Sequence, residues 1–225
     1  MVDGDDRPVI TEPELTARVD AAFDVTGQDL ARWPDPHPDR SPADEEYSRL
    51  SDPAKWRIVG ARADAWLMAL AETGLAVIHR EPTVRWRVPP PTVVSRAVRA
   101  VPLAEGALPL VVARSRLGSL DDAGVTLAAG DPAVCVVWIP DCGCDACDSG
   151  SQDVLDELDR YVFSVVSGTF RRLWSGDREI TVVSSDARRA HWGVSGKLSR
   201  TEVDSVLVDP TGWHEVSGAS WMPAG

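Results

Sequence analysis

The sequence predicts an α+β protein with a helical N-terminal third, a largely antiparallel sheet and one central amphipathic helix after a cysteine-rich loop. Helical periodicity dominates before residue 75, and runs rich in branched residues dominate the middle of the chain. Short turns join these runs, and short turns connect antiparallel strands, whereas parallel strands need long crossovers. The 225 residues suffice for one sizeable core. We expect a single domain over 1–225, with an acidic helical segment at 1–52 and a main body at 53–225.

The N-terminal third carries two strong helix signals. Thr11 and Glu14 are spaced as a capping box, and Asp52, which precedes a proline, begins a longer helix that Gly74 ends. Apolar residues recur at helical spacing in both segments, at Leu15, Val19, Ala22 and Phe23 in the first and at Val59, Ala63, Trp66, Leu67 and Leu70 in the second. The proline-rich stretch 32–42 between them is predicted to be a loop, followed by a short helix.

The middle of the chain predicts a series of strands. Hairpin turns are expected at 105–106 and 130–132, and the acidic pair at 121–122 also indicates a turn. A triple proline at 89–91 cannot lie inside a sheet and separates two strands. The expected strands are Leu75–His79, Val84–Val88, Val93–Leu103, Leu108–Leu117, Gly124–Ala129 and Ala133–Ile139.

The cleanest amphipathic helix follows the cysteine-rich loop and ends at Gly168. Its apolar positions are Val154, Leu155, Leu158, Tyr161, Val162, Val165 and Val166. Asp148 or Ser149 is expected to be its N-cap. Strands are expected again at 169–174 and 179–184, and Ser199 with Glu202 predicts the cap of a last short helix.

The charge pattern argues against binding to nucleic acid or to an anionic membrane. The chain carries 23 basic and 35 acidic side chains, a formal net charge of −12, and the summed field repels phosphate. The charge is uneven, with net −9 over 1–52, net +4 over 53–130 and net −7 over 131–225. The first residues are acidic, which is not typical of a signal peptide, so none is expected, and no apolar stretch approaches the ~20 residues that span a bilayer. We expect a cytoplasmic protein with no nucleic-acid or membrane partner and with an unknown protein partner, if it has one.

The chemically sharpest feature is a loop in which Cys142, Cys144 and Cys147 fall within six residues. Three soft sulfur donors in one tight turn are typical of a structural zinc site, and Zn²⁺ prefers four ligands in a tetrahedron. The sequence leaves the fourth ligand open among His79, His191, His214 and the loop aspartates at 141, 145 and 148. Cys135 lies in an apolar strand and is expected in the core.

Two other chemistries remain open for the cysteines. A strand, then Cys144 and Cys147 as a Cys-x-x-Cys pair, then a helix resembles the layout of a thiol–disulfide oxidoreductase. The neighbouring aspartates oppose this role, because carboxylates raise the pKa of a thiol, whereas they favour a bound cation. The third interpretation is that the cysteines remain free thiols in a turn.

A further hypothesis concerns arginine and tryptophan, which are abundant. Seven arginines cluster in the predicted strands: Arg80, Arg85, Arg87, Arg96, Arg99, Arg114 and Arg116. They form a basic sheet face that binds an anionic ligand, or docks the acidic segment 1–52, or is simply solvated. The nine tryptophans are expected mostly in the core, and together with the arginines they offer an alternative function as a partner-binding module.

No catalytic residue is predicted, because the sequence contains no metalloprotease, serine-hydrolase, P-loop or dinucleotide-binding motif. The protein is therefore expected to be non-enzymatic. Residues 140–148, Pro-Asp-Cys-Gly-Cys-Asp-Ala-Cys-Asp, with the acidic amphipathic helix after them, resemble the signature stretch of an uncharacterised actinobacterial family, a domain of unknown function. The resemblance implies no activity and marks the loop as a family hallmark.

Overall fold

The computed structural model of the protein describes residues 10–81, 83–184, 190–195 and 198–223. Over these residues the fold is α+β, as predicted, and four α-helices accompany two β-sheets. The helices are α1 (Glu12–Thr26), α2 (Arg57–Glu72), α3 (Ser151–Val166) and α4 (Arg200–Val208). The strands are β1 (Ala76–Glu81), β2 (Trp86–Val88), β3 (Val94–Pro102), β4 (Leu110–Leu117), β5 (Leu120–Ala129), β6 (Ala133–Ile139), β7 (Arg171–Ser175), β8 (Arg178–Ser184), β9 (Ala190–Ser195) and β10 (His214–Ser217).

The two sheets are almost entirely antiparallel. The larger sheet has six strands in the order β1-β3-β4-β5-β6-β2, and the smaller has four in the order β10-β7-β8-β9. Both predicted hairpins form, between β3 and β4 and between β5 and β6. The exception is β2, which pairs with β6 in parallel, with Trp86 opposite Ala133. The prediction of a largely antiparallel sheet is confirmed.

The two helices of the N-terminal third form one layer, in which α2 packs on the larger sheet and α1 packs on α2. The capping box of α1 forms as predicted, because the Glu14 carboxylate accepts from the Thr11 amide at 2.9 Å and the Thr11 hydroxyl accepts from the Glu14 amide at 3.4 Å. α2 packs against α1, α3 and β5. One core therefore contains apolar side chains of three helices and the sheet, and Trp56, Trp66 and Trp221 are among its largest buried members.

β5 begins earlier than predicted. The expected turn at the acidic pair is wrong, because Asp121 and Asp122 lie inside the strand and the chain turns instead at Gly118, whose φ is +58°. Arg116 donates to Asp121 at 2.7 Å, and Arg96 donates to Asp122 at 3.1 Å. The two carboxylates are tolerated in the strand because Arg116 of the adjacent β4 and Arg96 of β3, one strand further, neutralise them.

The start of α3 also differs from the prediction. The N-cap is Gly150 rather than Asp148 or Ser149, and its φ is +89°. A side chain at Gly150 would collide with the backbone of Asp35, whose nitrogen lies 2.6 Å from the Cβ position. Glycine is therefore required where the helix start and the proline-rich loop approach each other.

The smaller sheet contacts the larger through β7. Arg172 donates to the carbonyl oxygen of Cys135 in β6 and forms an ion pair with Glu179 at 2.7 Å. The C-terminal residues contact the core formed by the three helices and the larger sheet, where the Trp221 amide donates to the Val166 carbonyl at 2.9 Å. A search of the described helices finds none that is both long and apolar enough to cross a membrane.

A buried ion pair between α2 and α3 provides a test of this packing. Asp159 accepts from Arg62 Nε at 2.9 Å and from Trp66 Nε1 at 2.6 Å, while the Arg62 side chain is only 7% exposed. We expect Asp159→Ala to lower the free energy of unfolding by about 2–3 kcal/mol, because a buried guanidinium loses its main partner. Asp156→Ala, an exposed position on the same helix, is the control and should cost less than about 0.5 kcal/mol. Urea unfolding measures both, and equal losses would contradict the assignment.

Candidate metal centre

The three clustered cysteines meet in space. Their residues lie in the loop between β6 and α3, where a 3₁₀ turn spans Asp145–Cys147 and Gly143 has φ +69°. The sulfurs of Cys142 and Cys144 are 3.4 Å apart, and all three sulfurs lie within 4.8 Å of one another. Sulfurs bound to one tetrahedral zinc at about 2.3 Å would be separated by about 3.8 Å. The triad is therefore geometrically suited to metal binding.

The three thiols interact closely enough to perturb one another. Burial alone would raise the pKa of Cys144, but hydrogen bonds from Cys142 and Cys147 outweigh it and hold that pKa below its ordinary value. The same contacts raise the pKa of Cys147 to about 12, and burial raises the pKa of Cys142. Among the three thiols, Cys144 is therefore the one whose charged form is favoured by its neighbours in the cluster.

Asp145 fixes the turn of the loop to the segment before α2. Its carboxylate accepts from Arg49 Nε at 2.5 Å and from the Ser51 amide and hydroxyl at 3.0 and 2.6 Å. Its own amide donates to the Arg49 carbonyl at 2.8 Å. Hydrogen bonds from Ser51, and then from Arg49, lower the pKa of Asp145 to about 2, so this carboxylate is ionised and fully engaged.

Asp148 fixes the far end of the loop. Its side chain, 2% exposed, accepts from Lys55 Nζ, from Trp33 Nε1 at 2.8 Å and from the Gly150 amide at 2.9 Å. Ser151 adds to this junction, because its amide and hydroxyl each donate to the Trp33 carbonyl at 3.0 Å. The proline-rich loop is thereby tied to the start of α3.

Most of the residues that the sequence offers as a fourth metal ligand are engaged by other contacts. The carboxylates of Asp145 and Asp148 are engaged by protein donors, and that of Asp141 accepts from the Cys142 amide at 2.7 Å. His214 stacks on Trp174 at 5.4 Å in the smaller sheet. Among the described residues no histidine, aspartate or glutamate joins the sulfur cluster, including His79 of β1, and the side chain of His191 lies outside the described residues.

Two expectations about the cysteines can be compared with the structure. Cys135 is 4% exposed in β6, and burial raises its pKa to about 11, so its predicted core position is confirmed. The Cys144–Cys147 pair precedes α3 by several residues and occupies its own 3₁₀ turn, so it does not lie in the first turn of a long helix. That position removes the helix-terminus effect on which the oxidoreductase hypothesis depends.

The arginines of the strands are mostly paired with nearby carboxylates. Arg85 and Arg99 share Asp131, each at 2.8 Å, and Arg114 reaches Asp64 at 2.6 Å. None of the carboxylates that pair with the strand arginines in the described part of the chain lies within 1–52. The described residues 10–52 therefore supply no partner for this face in these ion pairs, and residues 1–9 lie outside the described part of the chain.

A cleft of about 390 Å³ adjoins the cysteine loop. It lies between β6 and α3, and Cys147 contributes to one side of it. Trp56, Trp138 and Tyr161 line it together with the acidic residues Asp141 and Glu157. Nothing in the local sequence pattern marks this cleft, because its walls come from three separated segments.

The fold and the loop together define an α+β protein whose cysteine-rich loop joins a central sheet strand to the central helix. A family model matches residues 19–222, and the chain belongs to that family, a family of unknown function (DUF6226). No curated protein and no solved structure gives a significant match to the chain. Membership agrees with the predicted resemblance to an uncharacterised family and assigns no activity.

The role of Asp148 is tested by removing its charge and then its acceptor. We expect Asp148→Ala to lower the free energy of unfolding by about 2–4 kcal/mol, because the Lys55 ammonium and the Trp33 indole lose a buried partner. Asp148→Asn keeps an acceptor and should cost less. The exposed Asp153 of α3 provides the control, and Asp153→Ala should cost less than about 1 kcal/mol. Chemical unfolding of the three variants ranks their losses in free energy of unfolding. An Asp148→Ala variant as stable as the wild type would contradict the role assigned to Asp148.

Proposed function

We propose that Cys142, Cys144 and Cys147 bind a structural Zn²⁺ ion that stabilises the loop between β6 and α3. The observation that carries the proposal is the convergence of three sulfurs within 4.8 Å of one another. Zinc would replace the thiol protons, so the binding free energy would stabilise the folded loop.

The surroundings are compatible with this role. Arg49 and Lys55 are anchored to the same loop through ion pairs with Asp145 and Asp148, so the loop is held at both ends independently of a metal. A water molecule, or a ligand atom from outside the described residues, is the proposed fourth ligand. The contacts with Arg49 and Lys55 join the loop to the N-terminal segment, so the metal would stabilise a junction of the fold.

Elemental analysis of protein purified without chelator tests the proposal. We expect about one equivalent of zinc in the wild type and less than about a tenth in a Cys142→Ser/Cys144→Ser/Cys147→Ser variant. Cys135→Ala is the matched control, because this buried cysteine lies outside the triad, and it should keep its metal. Chelation should lower the thermal midpoint of the wild type and leave that of the triple variant unchanged. Less than about a tenth of an equivalent of zinc in the wild type would end the proposal.

A thiol–disulfide oxidoreductase is the second candidate, because the pKa of Cys144 is lowered within the cluster. This function predicts that metal-free protein has one fast-alkylating thiol near neutral pH, and that Cys144 and Cys147 cycle as a disulfide. Mass spectrometry after timed alkylation identifies the reactive residue, and Cys144→Ser should abolish the fast phase. Uniformly slow alkylation of all four cysteines would exclude this candidate.

A further inference from the structure

The cleft between β6 and α3 has an unusual set of walls. Its volume of about 390 Å³ falls within the range of small-molecule sites. Aromatic rings of Trp56, Trp138 and Tyr161 line it, and two acidic residues, Asp141 and Glu157, are the charged residues among its described lining. No lysine, arginine or histidine is among the described residues that line it. The described lining of the cleft therefore combines aromatic surface with acidic side chains.

Among the described residues, Glu157 contributes an unpaired carboxyl group to the lining of the cleft. No ion pair or hydrogen bond joins its carboxyl group to another described residue, whereas many other acids of the chain have such partners. Burial raises the pKa of Glu157, Arg160 opposes the rise, and Asp141 adds to it. The guanidinium of Arg160 lies over the Tyr161 ring at 5.9 Å from its centroid and does not form an ion pair with Glu157. Glu157 therefore brings to the cleft a half-buried carboxyl group that forms no ion pair with a described residue.

We propose that this cleft binds a small organic amine through the carboxylate of Glu157 and the rings of Trp138 and Tyr161. An ammonium group placed beside Glu157 would gain a charge-assisted hydrogen bond, which is stronger than a neutral one. Contact with the aromatic faces would add a cation–π interaction. The apolar part of the amine would pack against Val136 and Val154, which also line the cleft. Anionic ligands are disfavoured because no basic side chain is among the described residues that line the cleft.

A free small molecule is favoured over a protein partner by the dimensions and shape of the site. The cleft is a recess between a strand and a helix, and its volume lies at the lower end of the range of small-molecule sites. The residues assigned to the amine are distinct from the proposed metal ligands, because neither Glu157 nor the aromatic rings belong to the sulfur cluster.

Titration calorimetry on the full-length protein tests the proposal with three probes of equal length: n-butylammonium, n-butanol and n-butyrate. We expect saturable one-to-one binding of n-butylammonium and at least about tenfold weaker binding of the alcohol and the carboxylate, as the loss of a charged hydrogen bond implies. The titration is repeated after chelation, and the preference should persist. Equal binding of the amine and the alcohol, or no binding of the amine, would overturn the proposal.

Two variants locate the binding. Glu157→Gln keeps the shape of the side chain and should weaken n-butylammonium about tenfold or more, whereas Asp153→Asn makes the same charge change on the exposed face of α3 and should alter affinity less than about twofold. Trp138→Leu should also weaken the amine, through loss of the cation–π contact. Urea unfolding confirms that each variant is folded. Equal affinities of the Glu157→Gln and Asp153→Asn variants would show that only general electrostatic attraction is measured and would overturn the assigned site.

Discussion

The candidate site depends on one buried charge, the carboxylate of Asp148. Its side chain is 2% exposed, and an ionised carboxylate at such a position is costly unless several donors surround it. Lys55, the Trp33 indole and the Gly150 amide are those donors, and they come from three different segments. Because all three must converge on one carboxylate, the proline-rich loop, the turn before α2 and the start of α3 are fixed relative to the cysteines.

This arrangement changes the electrostatic argument for a metal. From the sequence alone, the loop aspartates favour a cation over a reactive thiolate. In the structure the negative charges of Asp145 and Asp148 are already balanced, by Arg49 at 2.5 Å and by Lys55. Those two carboxylates hold the loop and contribute little field to a metal beside it. The support for zinc now comes from the positions of the sulfurs and from the absence of a long-helix N-terminus at the Cys-x-x-Cys pair.

The features that sequence reasoning could predict are local ones. A capping box such as Thr11 with Glu14 needs only neighbours three residues apart, and the apolar spacing of α3 records its buried face directly. The contacts that build the site join distant residues. Trp33 and Asp148 are 115 positions apart, and Arg49 and Asp145 are 96 apart, so no local pattern reveals either pair. The unexpected start of β5 has the same origin, since Asp121 and Asp122 pair with arginines supplied by β4 and β3.

Cys147 belongs to the sulfur cluster and also lines the neighbouring cleft, yet different contacts hold the two sites in place. The loop position of Cys147 depends on contacts at its two ends, through Asp145 and Asp148. The position of Glu157 depends on α3, whose buried face packs into the main core and whose Asp159 holds Arg62 of α2 at 2.6 Å. Loss of a metal would therefore alter the rim of the cleft that the loop supplies. The carboxylate that selects a cation would stay in place, because the helix that carries it is held by the core.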